Sequence, residues 1–260
     1  MHNFTAYTIY TAVFSPTMGT AHAARLLAEQ MDLNLAGEKI RDLDLTVPEN
    51  RSTPHFFTSS DLLIAAAPVY GGQLPPVDGL FKNLHGNQTP CILLACYGNR
   101  HYDDALAQMK QILTRQGFLC IGAAACVIPH IFSEKIAAGR PNEEDTGRLA
   151  AFASELKTKF ATDIFEIVEV PGNPAPEAKP KKDIPKTLDR TLCTDCGTCV
   201  RSCPVNAIDR ETLEINPDVC INCMRCTVIC PAKARSFQAQ DTQTWLEANC
   251  SVPREIEYFL

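Results

Sequence analysis

Eight of the thirteen cysteines fall into two copies of one spacing, C-x2-C-x2-C-x3-C-P. The first copy is Cys193, Cys196, Cys199, Cys203 and Pro204; the second is Cys220, Cys223, Cys226, Cys230 and Pro231. The copies are offset by 27 residues, which also superposes Ala207 on Ala234. Thiolates are soft ligands, and three of them spaced three apart on a tight turn face one side of a compact inorganic core, with backbone N–H groups turned toward it. A [4Fe–4S] cubane needs four such thiolates. Two copies point to two one-electron centres in a small domain with internal pseudo-two-fold symmetry. Pro204 and Pro231 lack an N–H and fix φ, so they turn the chain out of each run. Zinc is the competing reading. Zinc sites usually join two C-x2-C pairs through a longer spacer, with one metal per four ligands. Four cysteines crowded into one run before a proline form a different pattern.

Residues 188–237 resemble a bacterial-type 2[4Fe–4S] ferredoxin, a small α+β domain. In such two-cluster ferredoxins the fourth cysteine of each run ligates the other cluster. The resemblance therefore assigns Cys193, Cys196, Cys199 and Cys230 to one cluster, and Cys220, Cys223, Cys226 and Cys203 to the other. Val200, Val205, Ile208, Ile215, Val219, Ile221, Val228 and Ile229 supply an apolar shell that limits water access.

At 260 residues the chain holds about two domains. Strand-like apolar runs recur ahead of the cysteines at Tyr7–Phe14, Ile40–Leu45, Leu62–Val69, Cys91–Tyr97 and Leu119–Ile128. Helical spacing falls between or after them at Thr20–Leu33, Val77–Leu84, Asp103–Gln116 and Asn142–Phe160. Alternation of this kind predicts a doubly wound five-stranded parallel sheet. Ligands of such sheets bind at the carboxyl ends of the strands.

The first strand ends in Phe14-Ser15-Pro16-Thr17-Met18-Gly19-Thr20. Hydroxyls and successive N–H groups entering a helix form an anion site. The segment has no GK[ST], and the chain has no G-x-G-x-x-G, which argues against a nucleotide P-loop and a dinucleotide fold. The third strand ends in Pro68-Val69-Tyr70-Gly71-Gly72, and the fourth in Tyr97-Gly98-Asn99-Arg100-His101-Tyr102. Each puts an aromatic beside glycine, as an isoalloxazine ring needs: a face to stack on and open backbone for its edge.

With FSPT, PVYGG and YGNRHYDDAL in this order, residues 1–165 resemble a flavodoxin. The whole chain resembles flavodoxin–ferredoxin fusion proteins of anaerobes. That resemblance implies FMN and two [4Fe–4S] clusters as cofactors. It implies Ser15, Thr17, Gly19 and Thr20 at the FMN phosphate. Tyr70 and Gly71 match the first ring loop, with the Gly71 carbonyl near flavin N5. Gly98, Asn99 and Tyr102 match the second, with Tyr102 stacked on the ring. One residue departs from the flavodoxin pattern T/S-x-T-G-x-T: Met18 stands in the glycine's place, and Gly19 follows one position late.

Residues 166–187 read as a linker, with Gly172–Pro185 rich in proline and lysine, and residues 238–260 as a tail packing on the domains through Trp245, Leu246, Tyr258 and Phe259. Cys91, Cys96, Cys120 and Cys126 read as core residues in apolar strands, and Cys250 as an exposed tail residue. Asp103 and Asp104 read as helix caps. His101 and His130 lie near strand ends, within reach of a ligand, but no catalytic partner accompanies either.

A net charge of −6 gives no footprint for nucleic acid, and no apolar run reaches membrane-spanning length. The opening MHNFTAYTIY has neither a positive n-region nor a cleavage site, so it reads as mature sequence in a reducing cytoplasm, and exposed clusters point to a low-oxygen setting. Flavin and iron–sulfur centres in one chain convert between two- and one-electron traffic. The expectation is an electron-transfer protein that exchanges electrons with a protein redox partner. Two alternatives stand beside it. One is an FMN-dependent oxidoreductase acting on NAD(P)H or a small acceptor, for which no nicotinamide pocket is visible. The other is an iron–sulfur sensor or assembly module whose flavodoxin-like domain has lost FMN, which Met18 favours.

Overall fold

A computed structural model of the chain describes residues 7–31, 40–162, 165–182 and 184–260. The first six residues, and the last two of the first expected helix, lie outside the described residues. The elements run β1 (Thr8–Val13), α1 (Gly19–Met31), β2 (Ile40–Asp44), α2 (Pro48–Ser52), β3 (His55–Phe56), β4 (Asp61–Pro68), β5 (Leu84–His85), β6 (Thr89–Tyr97), α3 (Ala105–Arg115), β7 (Phe118–Val127) and α4 (Glu143–Thr162). The C-terminal part adds β8 (Lys186–Leu188), α5 (Thr198–Arg201), α6 (Arg225–Val228), β9 (Arg235–Phe237), α7 (Gln240–Asn249) and β10 (Glu257–Phe259).

The main sheet has the order β10-β7-β6-β4-β1-β2. Its five long strands are parallel and, numbered among themselves, run 2-1-3-4-5, the flavodoxin-like order of a doubly wound sheet. The inner strands are near-continuous Val, Ile, Leu, Ala and Cys because both faces are covered. One face carries α1 and α4, with Leu27 and Phe152 packed over Ile64 and Leu94; the other carries α3, with Met109 packed over Leu63 and Leu93. The tail adds a sixth strand: β10 pairs antiparallel with β7.

The helix expected over Val77–Leu84 is absent. Val77, Leu80, Phe81 and Leu84 do point into the core. However, Gly79 has φ +73, and the segment closes through i→i+3 turns, Gly79 to Lys82 and Phe81 to Leu84. Asp103 and Asp104 do not cap α3 through their side chains. Asp103 pairs with Arg100, and Asp104 Oδ1 accepts from the Asn173 N–H at 2.9 Å.

In the C-terminal module the sequence repeat is also a backbone repeat. Left-handed residues stand at Asp195 and Asn222, at Gly197 and Met224, and at Asn206 and Lys233, each pair separated by the repeat offset. The Ala207 N–H donates to Cys203 Sγ at 3.2 Å, and the Ala234 N–H donates to Cys230 Sγ at 3.3 Å. Strands β8 and β9 pair antiparallel and close the module.

The two parts are docked. Ile221 of the module sits in the core cluster of the α3 face, with Val205 and Cys223 packed on it. The buried Arg51 guanidinium donates to the carbonyls of Leu45 and Pro204. Arg225 Nη1 donates to the Pro16 carbonyl at 2.8 Å. The linker is mostly exposed, as expected, but is tied at points along its length. The Val168 N–H donates to the Cys120 carbonyl at 2.8 Å, Gln73 Nε2 donates to the Glu177 carbonyl at 2.8 Å, and Asn222 Nδ2 donates to the Lys182 carbonyl at 2.8 Å.

Candidate functional site

The cysteines form two sets. Cys193, Cys196, Cys199 and Cys230 line one small pocket, roofed by Leu213 and Arg235. Cys203, Cys220, Cys223 and Cys226 form the other, near enough for their charges to act on one another. Each set takes three cysteines from one run and the last from the other. Among the described residues no three Cys, His, Asp or Glu side chains converge tightly enough to hold a single metal ion. Burial pushes the Cys223 thiol up to about 12 and raises Cys226 as well. Thiolates at these positions need the positive charge of bound iron. The donor set fits [4Fe–4S] chemistry.

A cavity of about 540 Å³ opens at the carboxyl ends of β1, β4, β6 and β7, a size usual for cofactor sites. Thr17 and Thr20 line it after β1, Tyr70 and Gly71 after β4, and Gly98 after β6. Cys220 and Cys223 form part of the same wall, so the second cysteine set borders the flavodoxin-like loops. Tyr70 ties the two together: burial, then the neighbouring Cys223 and Cys220 thiols, push its phenol well up. Its loop is a tight hairpin in which Tyr70 and Gln73 exchange both backbone hydrogen bonds. Gly71 and Gly72 hold φ +60 and +92 there, conformations that favour glycine. The linker supplies Lys179, Lys181 and Lys182 to the lining, against Asp218. Lys179 Nζ donates to the Gly71 carbonyl, the atom expected near the flavin.

Ser15 and Gly19 shape the first loop without lining the cavity. Ser15 Oγ accepts from the Ala21 N–H at 3.0 Å, and a Cβ at Gly19 would lie 3.2 Å from Ile128 Cδ1. Met18 takes φ +69, the left-handed conformation a glycine would supply, and leaves its side chain 61% exposed. The departure at Met18 therefore does not redirect the loop. Arg225 approaches this loop at Pro16, and its buried Nε has no partner among the described residues.

Two expected ring residues are elsewhere. Asn99 Nδ2 donates to the carbonyls of Cys250 and Val252 at 2.6 and 2.8 Å, while its Oδ1 accepts from the Arg254 N–H at 2.9 Å. Tyr102 is buried under the tail, donates to Glu257 Oε2 at 2.8 Å and stacks on His101. Both hold the tail, and neither lines the cavity. Cys250, expected exposed, is buried beside Ile136 and Leu246, whereas Trp245 is half exposed. Cys91, Cys96, Cys120 and Cys126 are buried, and Cys96 reaches the cavity wall.

The residues that line the cavity in place of Asn99 and Tyr102 come from the loop after β7, among them His130 and Phe132. His130 was in view near its strand end. The signal for the whole loop was the carboxyl end of the fifth strand, which sheet topology marks as strongly as the other ends.

A 4Fe–4S dicluster domain family matches residues 186–231. Over 53 residues the chain is 45% identical to the pyruvate synthase subunit PorD of Methanothermobacter marburgensis, covering 20% of this chain and 64% of that subunit. Over 56 residues it is 38% identical to a ferredoxin of Alicyclobacillus acidocaldarius, covering 20% of this chain and 72% of that protein. The chain thus spans less than two thirds of PorD, and 29% of another iron–sulfur subunit that it matches. Among solved structures, a flavodoxin of Streptococcus pneumoniae aligns at 21% identity and a TM-score of 0.39, over 58% of this chain and 99% of that one. No helix among the described residues is long and apolar enough to cross a membrane.

Proposed function

Because the chain belongs to the 4Fe–4S ferredoxin family through its C-terminal module, with a flavodoxin-like domain ahead of it, we propose that it carries electrons between FMN and a protein partner by way of two [4Fe–4S] clusters. The observation that carries this reading is the shared wall: Thr17, Thr20, Tyr70 and Gly71 line one cavity together with Cys220 and Cys223. Bound FMN would supply the interchange between two-electron and one-electron traffic. The chain's own residues supply binding, spacing and exclusion of water. Thr17 and Thr20, at the N-terminus of α1, offer hydroxyls and helix N–H groups to a phosphate. Lys179, Lys181 and Lys182 add positive charge to the lining of the same cavity. Tyr70 offers a ring face between the cavity and the inner cysteine set. Cys203, Cys220, Cys223 and Cys226 would hold the cluster nearer the flavin. Cys193, Cys196, Cys199 and Cys230 would hold the one nearer solvent, where Cys196 is exposed and a partner can approach. That exposure suits a low-oxygen, reducing compartment such as a cytoplasm.

The test is kinetic. Protein purified without oxygen is expected to carry about eight iron atoms, two cubanes' worth, together with FMN. Reduction of its clusters by a low-potential donor is expected to reduce the FMN of the same molecule, at a rate independent of protein concentration. A rate proportional to concentration would place the transfer between molecules and end the intramolecular reading. Cluster absorbance without flavin absorbance would favour the sensor.

A further inference from the structure

His130 lies in the loop after β7, on the wall of the cavity. Its ring is fixed from two sides. A Cβ at Gly98 would lie 2.4 Å from His130 Cδ2 and 2.7 Å from Cγ, so the imidazole rests on the backbone after β6 and only glycine leaves it room. On its other side Nδ1 accepts from the Phe132 N–H at 3.1 Å. A ring nitrogen that accepts carries no proton, so the proton of the neutral ring sits on Nε2. Burial holds the ring neutral, lowering its pKa to about 4. Among the described residues Nε2–H has no partner, whereas Nδ1 does. Phe132 in turn packs edge-on against Phe237 of β9, with centroids 5.7 Å apart at 69°. The docked C-terminal module thus braces the loop that holds the imidazole.

We propose that His130 donates its Nε2–H to the electron-rich edge of the flavin and thereby favours reduced over oxidised FMN. The inference rests on the FMN reading above and adds which residue sets the balance between the two redox forms. Two-electron reduction of a flavin leaves extra negative charge on the ring. A donor fixed beforehand interacts more strongly with the charged form than with the neutral one. Asn99 and Tyr102 are committed to the tail, so the second ring loop leaves that role open.

The experiment compares dissociation constants for oxidised and reduced FMN in the full-length, cluster-loaded protein, by visible absorption and potentiometric titration. Wild type is expected to bind both forms. His130→Ala is expected to weaken the reduced form about tenfold more than the oxidised form, the scale of one hydrogen bond to a charged group. His130→Gln keeps an N–H donor and is expected to recover most of that ratio. Should the alanine variant fail to fold, which loss of cluster bands would reveal, His130→Phe fills the same space without a donor and makes the same comparison. Equal weakening of both forms would make His130 a packing residue and overturn the inference. An unchanged ratio in every variant would also overturn it. A wild-type protein that binds no FMN would defeat the FMN reading itself, before any variant is made, and this inference with it.

Discussion

The outer and inner cysteine sets share one spacing and one backbone repeat, yet their surroundings diverge. Cys196 of the outer set is exposed, and the Thr198 hydroxyl and N–H beside it hold its thiol below the usual range. In the inner set Cys203 is buried, and burial pushes the thiols of Cys223 and Cys226 up. The difference comes from docking. Ile221 and Val205 carry the inner set into the core of the flavodoxin-like domain, and the buried Arg51 closes over Pro204. The repeat sets the ligand arrangement, while the neighbouring domain sets the solvent access that tunes an iron–sulfur potential. The inner cysteine set borders the cavity, and the outer one reaches solvent at Cys196.

The largest effects should come from removing one ligand at a time. Cys230→Ser is expected to damage the outer cluster and leave the inner one, although Cys230 lies in the second run. Cys203→Ser should do the reverse. Paramagnetic resonance of the reduced protein, with iron counts, distinguishes the two. If each substitution damaged the cluster of its own run, the crossed assignment would fail. Cys223→Ser is further expected to abolish electron transfer between the clusters and FMN within one molecule. Cys196→Ser should leave reduction of FMN by the inner cluster observable while slowing exchange with an external partner.

A smaller pair separates cavity from tail. Thr17→Ala is expected to weaken FMN binding by about 1–3 kcal/mol, the cost of a hydrogen bond to a charged group, with little change in folding stability. Asn99→Ala should reverse that pattern. Its side chain is buried and makes three hydrogen bonds to the tail backbone, so the loss should destabilise the fold by about 1–3 kcal/mol and leave FMN affinity nearly unchanged. Denaturant unfolding beside flavin titration measures both. A large drop in FMN affinity in Asn99→Ala would return that residue to the ring site.

What was legible in the sequence follows distance along the chain. The cysteine runs and the Tyr70-Gly71-Gly72 loop at a strand's carboxyl end are local, so spacing and residue type were enough to single them out. Strand alternation gave the parallel sheet because buried strands carry their signal internally. Asn99 and Tyr102 could not be read this way. Their partners, Cys250, Val252 and Glu257, lie about 150 residues downstream, and nothing in the loop itself reveals that a tail will cover it. The same holds for Lys179: the linker is exposed as its proline-rich composition suggests, but nothing local reveals that the lysine reaches the Gly71 carbonyl 108 residues upstream. Val77–Leu84 failed for another reason: its apolar spacing is helical and its side chains do go inward, but Gly79 supplies a positive φ that ends any helix.

The smallest expected effect tests whether the two parts of the first loop, its backbone and its side chains, act separately. Met18 holds φ +69 with its side chain largely in solvent. A side chain in that conformation costs about 1–2 kcal/mol that glycine avoids, partly offset by the extra freedom glycine gains in the unfolded chain. Met18→Gly should therefore stabilise the protein by about 1 kcal/mol or less. Because the backbone already follows the glycine-like path, FMN affinity should change far less than in Thr17→Ala. Unfolding midpoints and flavin titration of the same preparation measure the two quantities together. A gain in FMN affinity as large as the Thr17→Ala loss would mean that methionine distorts the phosphate loop after all. In that case the departure from the flavodoxin pattern at Met18 would be a functional one, and the sensor reading would regain its footing.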